Sequence, residues 1–440
     1  MPTETIEAGT ETLSANSQGR FSWVGPAIRS HAKEYGATFA TEFTVLASQL
    51  LVYKLTANFL GKEGFSEYAV ARRTISMIYL VPLLGITVAL PRYVAHAIGG
   101  GNGKRTAKYF GAAIWCVGSA LLVSVLLMNW FSGTFAYLFF AGKQYAGLVL
   151  PLSLLLVGLA LHSLVYSYFR GHLEMRRANL LQLVNLGIMP LAAFFVFGGS
   201  VRSVLLSMGI LTTAGACVGM AMTPIRHAGV RVLPEAKELL RYGVQRVPGD
   251  FALMALFTLP ATFVAHFQGV QKAGFVAFGI SVLNMVGTAF TPIGSILLPR
   301  AARMFASGEH RELREYVWGL TKLTVGCSGL MAVALFLFAP PLIRFYLGPN
   351  FSEVASITRI ALLGGVPYCL YLVLRNVLDA FHEAAITSLF LGAALAVLVA
   401  GTALANPRLN TSFGAVTALL AALLVLGGLV VAQVRRVLPT

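Results

Sequence analysis

The chain has 440 residues, and at about 150 residues per domain that length alone suggests about three soluble domains. Composition excludes them: 57% of residues are apolar and only 11% charged, where soluble proteins carry about 25% charged residues. A strongly positive mean hydropathy over such a length requires a non-aqueous solvent, so the chain is an integral membrane protein and not a soluble enzyme, a disordered chain or a secreted disulfide scaffold.

In chain order, Met1 to Arg20 is polar, carries Glu4, Glu7 and Glu11, and lacks the basic start and apolar core of a signal peptide. Residues 1–34 are therefore expected to form a mostly disordered cytoplasmic tail. Twelve apolar stretches follow, each long enough to cross a hydrocarbon core of about 30 Å as a helix. They cover residues 36–60, 68–91, 109–131, 147–169, 178–198, 203–224, 242–265, 273–298, 316–339, 355–380, 385–405 and 413–433. The pattern predicts an all-α polytopic membrane protein with a six-helix bundle over 35–224, a linker over 225–241, a second bundle over 242–433 and a short tail over 434–440. Cys116, Cys217, Cys327 and Cys369 stand singly inside apolar stretches and read as small buried hydrophobes.

The 33 Lys and Arg residues outnumber the 17 Asp and Glu, and their placement is directional. Alternate connections carry Arg20, Arg29 and Lys33; Arg92, Lys104, Arg105 and Lys108; Arg170, Arg176 and Arg177; Arg226, Arg231, Lys237 and Arg241; Arg300, Arg303, Arg311 and Arg314; and Arg435 with Arg436. The intervening connections hold one apiece: Lys62, Lys143, Arg202, Lys272, Arg344 and Arg408. By the positive-inside rule both termini are expected to be cytoplasmic. No polar basic domain exists to hold nucleic acid.

The two halves repeat each other at an offset of about 208 residues: Tyr35-Gly36 and Tyr242-Gly243, Leu90-Pro91-Arg92 and Leu298-Pro299-Arg300, Glu174 and Glu383. Pro82 and Gly85 have counterparts in Pro292 and Gly294. An even number of spans per half gives a parallel pseudo-twofold along the membrane normal, the plan of transporters that bind substrate between halves. The paired Pro82 and Pro292 are candidate hinges, since proline frees backbone groups and bends helices.

Catalytic motifs fail. Gly99 to Thr106 resembles a phosphate loop but has Ile98 and Arg105 where that loop requires Gly and Ser or Thr, and His382-Glu383 reaches Ile386 where a zinc protease needs His. The eight histidines form no ligand cluster, so neither a metal, a cofactor nor enzymatic activity is expected. Charges inside the spans carry the site argument instead, because each costs at least about 2.5 kcal/mol at a helix centre. Arg246 with Asp250, and Arg375 with Asp379, are spaced i to i+4 and share a helical face. Arg72 and Arg73 are adjacent, hence about 100° apart around their helix, so at most one points squarely into a central cavity. Glu42 and Lys54 lie about 18 Å apart along the first helix, too far to pair. Lys322 and Arg359 read as side chains that snorkel to the interface.

Six-plus-six spans, the Tyr-Gly opening the seventh, the run Phe59 to Tyr68 (FLGKEGFSEY) and the Leu-Pro-Arg closing the second and eighth spans resemble the Wzx-type polysaccharide transporters of the MOP superfamily, which also contains MATE drug exporters and the lipid II flippase. The resemblance implies translocation of an undecaprenyl-pyrophosphate-linked oligosaccharide from the inner to the outer leaflet of a bacterial cytoplasmic membrane, through a cationic central cavity, beside membrane lipids and polysaccharide polymerase machinery. In that setting Arg72, Arg73, Arg246, Arg375 and Lys54 are expected to bind the pyrophosphate. Glu42, Asp250 and Asp379 would balance charge or exchange H+ or Na+. The alternative is a MATE-like exporter of cationic drugs, which calls for a net acidic pocket; the span interiors here are mainly basic. A membrane-embedded glycosyltransferase or polymerase would need a large external loop with acidic residues, and Glu353 is the sole carboxylate in or bordering the longest external connections, around 132–146 and 340–354.

Overall fold

A computed structural model describes residues 25–223, 232–306, 310–381, 386–405 and 411–438. The N-terminal tail through residue 24, and Arg226, Arg231, His382, Glu383 and Arg408, lie outside the described residues, as do the side chains of Arg29, Lys33, Pro292, Arg300 and Arg303. Every regular element among the described residues is helical. The first half comprises α1 (Gly25–Phe59), α2 (Gly61–Ile78, Leu80–Leu83 and Ile86–Gly99), α3 (Gly103–Trp130), α4 (Val149–Gly171), α5 (Met175–Gln182 through Met189–Phe197) and α6 (Val201–Ala221). The second comprises α7 (Val247–Gln268), α8 (Val270–Ala306), α9 (His310–Leu347), α10 (Ser352–Leu363 and Gly365–Phe381), α11 (Ile386–Ala405) and α12 (Thr411–Val437).

Nine helical stretches among the described residues are each long and apolar enough to cross a membrane, and two bent pairs, α2 and α10, bring the number to 11. The remaining long helix is α1, whose hydropathy is lowered by Glu42, Gln49 and Lys54. The chain is thus a multi-pass membrane protein, with six of the helical elements α1 to α12 in each half. We refer to the end at which α2 and α12 finish, near Arg105 and Arg435, as the basic end.

Inside lipid there is no hydrophobic drive between helices, so close fit and polar bonds decide how they associate. Within the halves, α4 packs on α6, α8 on α10, and α11 on α12; between them, α2 packs on both α7 and α8.

Four features depart from a regular twelve-rod reading. First, α2 bends by 47° where Leu84 and Gly85 adopt φ of 50° and 69°. Pro82, two residues earlier, lacks the N–H that would hold the turn. The equivalent stretch of α8 runs unbroken through Pro292. Second, Leu183–Ile188 of α5 is a π-helical insert around the fully buried Asn185. Third, the linker forms a helix of its own, Leu233–Gly243, which joins α7 through a 3-10 turn at Val244–Arg246. Fourth, only Cys369 of the four cysteines is buried; Cys217 and Cys327 sit on the outer surface and Cys116 is intermediate, because lipid accepts an exposed thiol as readily as a core does.

Candidate functional site

Arg72 and Arg73 point to different places, as their angular separation requires. Arg73 is buried, and its guanidinium crosses from α2 to α8: Nη2 donates to Ser281 Oγ at 2.8 Å and Nε to the Ala277 carbonyl at 3.3 Å. The Thr258 hydroxyl of α7 donates back to the Arg73 carbonyl at 3.2 Å. Among the described residues no carboxylate lies within 4 Å of Arg73. A positive charge is thus enclosed between the halves by neutral oxygens only. Arg72 is half-buried and lines a small cavity inside the first bundle with Gln49, Tyr68, Asn185 and Thr212.

Beyond Arg73, away from the basic end, aromatic rings from both halves close the interface. Tyr53 and Phe65 of the first half meet Phe278 of α8 at centroid distances of 5.3 and 5.5 Å, and Phe65 meets Phe351 at 5.1 Å. The Tyr53 hydroxyl lies 3.3 Å from Ser281 Oγ, so Ser281 joins this ring cluster to Arg73. The helices touch where Ser66 crosses Gly274: a Cβ at Gly274 would stand 2.3 Å from Ser66 Cα. Ser66 Oγ donates to the Gln271 carbonyl at 3.0 Å. Lys54 is held at this same end, its Nζ 5.4 Å from the Phe345 ring centre and 6.0 Å from that of Tyr346, while the Tyr346 hydroxyl donates to the Leu50 carbonyl. Lys54 therefore ties α1 to α9 and stands apart from the other basic site residues.

Towards the basic end, Asp250 lies within electrostatic reach of Arg375, Arg246 and Asp379, and Tyr79 of α2 within reach of Asp250. The i to i+4 spacing does not close ion pairs: no contact within 4 Å joins these four charges. The physical reason differs for each. Arg246 sits exposed in the 3-10 turn before α7 and lies 5.1 Å from the Tyr242 ring centre. Arg375 leans on Tyr371, with Nη1 donating to its hydroxyl at 3.4 Å, and Asp379 is exposed. Glu42 does not join this group. It accepts from Gln182 Nε2 at 2.8 Å, inside the first bundle. Lys322 is exposed, whereas Arg359 donates through Nε to the Phe336 carbonyl at 2.9 Å.

Sequence reasoning missed the partners that position these charges, namely Tyr53, Ser281, Tyr79 and Tyr371. The available signal was a tyrosine or serine hydroxyl inside an apolar span, which needs a partner when buried. It also missed the linker helix as a clasp. Glu238 accepts from Arg105 Nη2 at 2.8 Å and from the Tyr109 hydroxyl, Arg105 Nε lies 3.6 Å from Glu235, and Arg92 sits 4.5 Å from the Tyr242 ring centre. The amphipathic pattern of Leu233–Gly243 was the missed signal. Among the described residues no group of three or more His, Cys, Asp or Glu is placed to hold a metal ion.

The polysaccharide biosynthesis protein family matches residues 35–305, more than half of the chain, and the MatE family matches residues 250–405. No curated protein matches by sequence. Among solved structures, an inward-facing multidrug resistance MATE family transporter of the MOP superfamily is 13% identical over 89% of this chain and 95% of that one, with a TM-score of 0.74. The lipid II flippase MurJ in an inward closed conformation is 15% identical over 90% of this chain and 87% of that one, with a TM-score of 0.69. The MATE transporter VcmN of Vibrio cholerae in its bent form is 16% identical over 93% and 98%, with a TM-score of 0.60. At these identities the likeness concerns the fold.

Proposed function

As the chain belongs to the polysaccharide biosynthesis protein family and carries the fold of MOP-superfamily transporters, we propose that it is a flippase for undecaprenyl-pyrophosphate-linked oligosaccharides, moving them from the cytoplasmic to the outer leaflet of a bacterial inner membrane by alternating access. The observation that supports this reading most is Arg73, a cation enclosed between the halves with only neutral acceptors. A pyrophosphate crossing a low-dielectric interior needs fixed positive charge, because an unpaired buried anion is very costly. Arginine keeps its charge and presents a fork that fits phosphate oxygens.

In this mechanism the headgroup enters from the basic end past Arg246 and Arg375. Its anionic oxygens then draw Arg73 away from Ser281 and Ala277, and the seal at the opposite end opens. Asp250 and Asp379 balance the arginines when substrate is absent and are the candidates to exchange H+ or Na+. Pro82 and Pro292 serve as hinges, Arg72 supplies a second positive charge from the first bundle, and Lys54 keeps α1 on α9. The polyprenyl tail stays in lipid and passes through a lateral opening, and the product is delivered to polymerase machinery outside.

The test is genetic. Deleting the gene is expected to accumulate a pyrophosphate-linked saccharide on the cytoplasmic leaflet, and Arg72→Ala with Arg73→Ala at equal protein level to reproduce the block. Normal surface glycan in that double variant would remove the cavity role. One observation favours a second reading, a MATE-like exporter of cationic drugs: the MatE match at 250–405 contains the Asp250 and Asp379 pair. Under that reading no saccharide accumulates and cationic dye efflux falls instead.

A further inference from the structure

On the surface of the second half, α10 and α12 leave a groove of about 510 Å³, lined by Val366, Pro367 and Leu370 of α10 and by Leu424, Val431 and Arg435 of α12. Its walls are apolar except at one end. From Leu424 to Arg435 a helix rises about 16 Å, close to half of a hydrocarbon core about 30 Å thick, so the groove spans one leaflet. Leu424 is 56% exposed, which opens the groove to lipid. None of its lining residues belongs to α2, α7 or α8, the helices that join the halves.

The polar end is equally specific. The Arg435 guanidinium stands 5.7 Å from the ring centre of Trp318 on α9, and the Trp318 Nε1 donor is buried with no acceptor. Among the described residues Arg435 has no carboxylate within 4 Å, and Arg436 follows it in sequence. Tryptophan and arginine at a helix end are the residues that sit at headgroup level. A cation without an anion, an indole ring that holds it at headgroup level and an apolar trough one leaflet long together match an amphiphile with an acyl chain and a negatively charged head.

We propose that this groove is a binding site for an anionic phospholipid of the leaflet at the basic end, with one acyl chain laid between α10 and α12 and the phosphate held by Arg435, which the Trp318 ring positions at the groove's polar end. The site is independent of what the protein transports. Arg435, with no carboxylate within 4 Å among the described residues, selects a net-negative lipid over a zwitterionic one, and an arginine near a membrane surface contributes a factor of about five.

The experiment uses the full chain in bilayers with Trp23, Trp115 and Trp130 replaced by Phe, so that Trp318 alone fluoresces, and measures quenching by brominated phosphatidylglycerol against brominated phosphatidylcholine. The expected result is a preference of about fivefold for phosphatidylglycerol. Arg435→Gln should bring the two lipids to near equality. Gly428→Leu should reduce quenching by both, because no atom lies within 4 Å of a Cβ at that position and the new side chain fills the groove. Equal quenching by both lipids in the starting protein, or a preference untouched by both substitutions, would overturn the proposal. Should the Phe replacements impair folding, native mass spectrometry of the unmodified chain reads the same preference as bound phosphatidylglycerol, and its insensitivity to Arg435→Gln would overturn it equally.

Discussion

Arg73 concentrates the residue-scale argument. A guanidinium can reach the Ala277 carbonyl and Ser281 Oγ at once because its donors are spread along a rigid fork, whereas a lysine ammonium is a single point. Hydrogen bonds to charged groups contribute about 1.5–3 kcal/mol. Arg73→Lys and Ser281→Ala are therefore each expected to lower the unfolding free energy of the purified protein by about 1.5–3 kcal/mol, read from denaturation in detergent. Unchanged stability in both would contradict the latch geometry. Much of this was legible beforehand: adjacency in sequence shows that Arg72 and Arg73 diverge, and an arginine in an apolar span marks a functional position. Their destinations were not legible, because the partners of Arg73 lie more than 200 residues away and are neutral, so no charge pattern announces them. The i to i+4 pairs show the converse. Their spacing was correct, yet Arg246 falls in a 3-10 turn rather than on the regular helix that pairing assumes.

At the scale of elements, the break in α2 is where pattern and structure diverge most instructively. Pro82 and Pro292 occupy matching places in the repeat, but only α2 turns, because Leu84 and Gly85 take left-handed φ and their backbone lies against Gly243. A Cβ at Gly85 would stand 2.2 Å from the Gly243 carbonyl oxygen, and one at Gly243 would stand 2.6 Å from that of Leu84. Backbone cannot yield as a flexible side chain does, so Gly243→Ala is expected to reduce the yield of monodisperse protein several-fold; size-exclusion profiles matching the parent would contradict this contact. The linker helix offers a milder test. Glu238 and Arg105 are each 38% exposed at the side chain, so their pair contributes at most about 1 kcal/mol. Glu238→Gln is expected to speed amide exchange over 233–243 by a few-fold and leave α7 unchanged. Equal exchange rates would show that the clasp holds without its charge. Most of the spans were readable because long apolar runs leave few alternatives, while this helix was obscured by its polarity.

The whole molecule is two bundles joined at one end by Arg73, Ser281 and a ring cluster, with separated arginines and carboxylates towards the other. Such an arrangement suits a cavity that opens to the basic end and closes against the opposite side until an anion competes for Arg73. The close crossing of Ser66 and Gly274 allows this seal to form. Gly274→Leu is therefore expected to prop the seal apart, raising the reaction of a cysteine placed at the buried Ala277, in a chain whose native cysteines are replaced by Ser, with an impermeant thiol reagent added from that side; continued protection would show that the seal lies elsewhere. The most direct test is transport in proteoliposomes. Purified protein and a fluorescent undecaprenyl-pyrophosphate-linked oligosaccharide would be reconstituted, and transfer between leaflets read by the label's loss of protection from an impermeant reductant. The account predicts transfer by the parent chain, at least tenfold slower transfer with Arg72→Ala and Arg73→Ala, and no transfer of a neutral polyprenol-linked sugar. Equal transfer by the double variant, or of the neutral analogue, would contradict it.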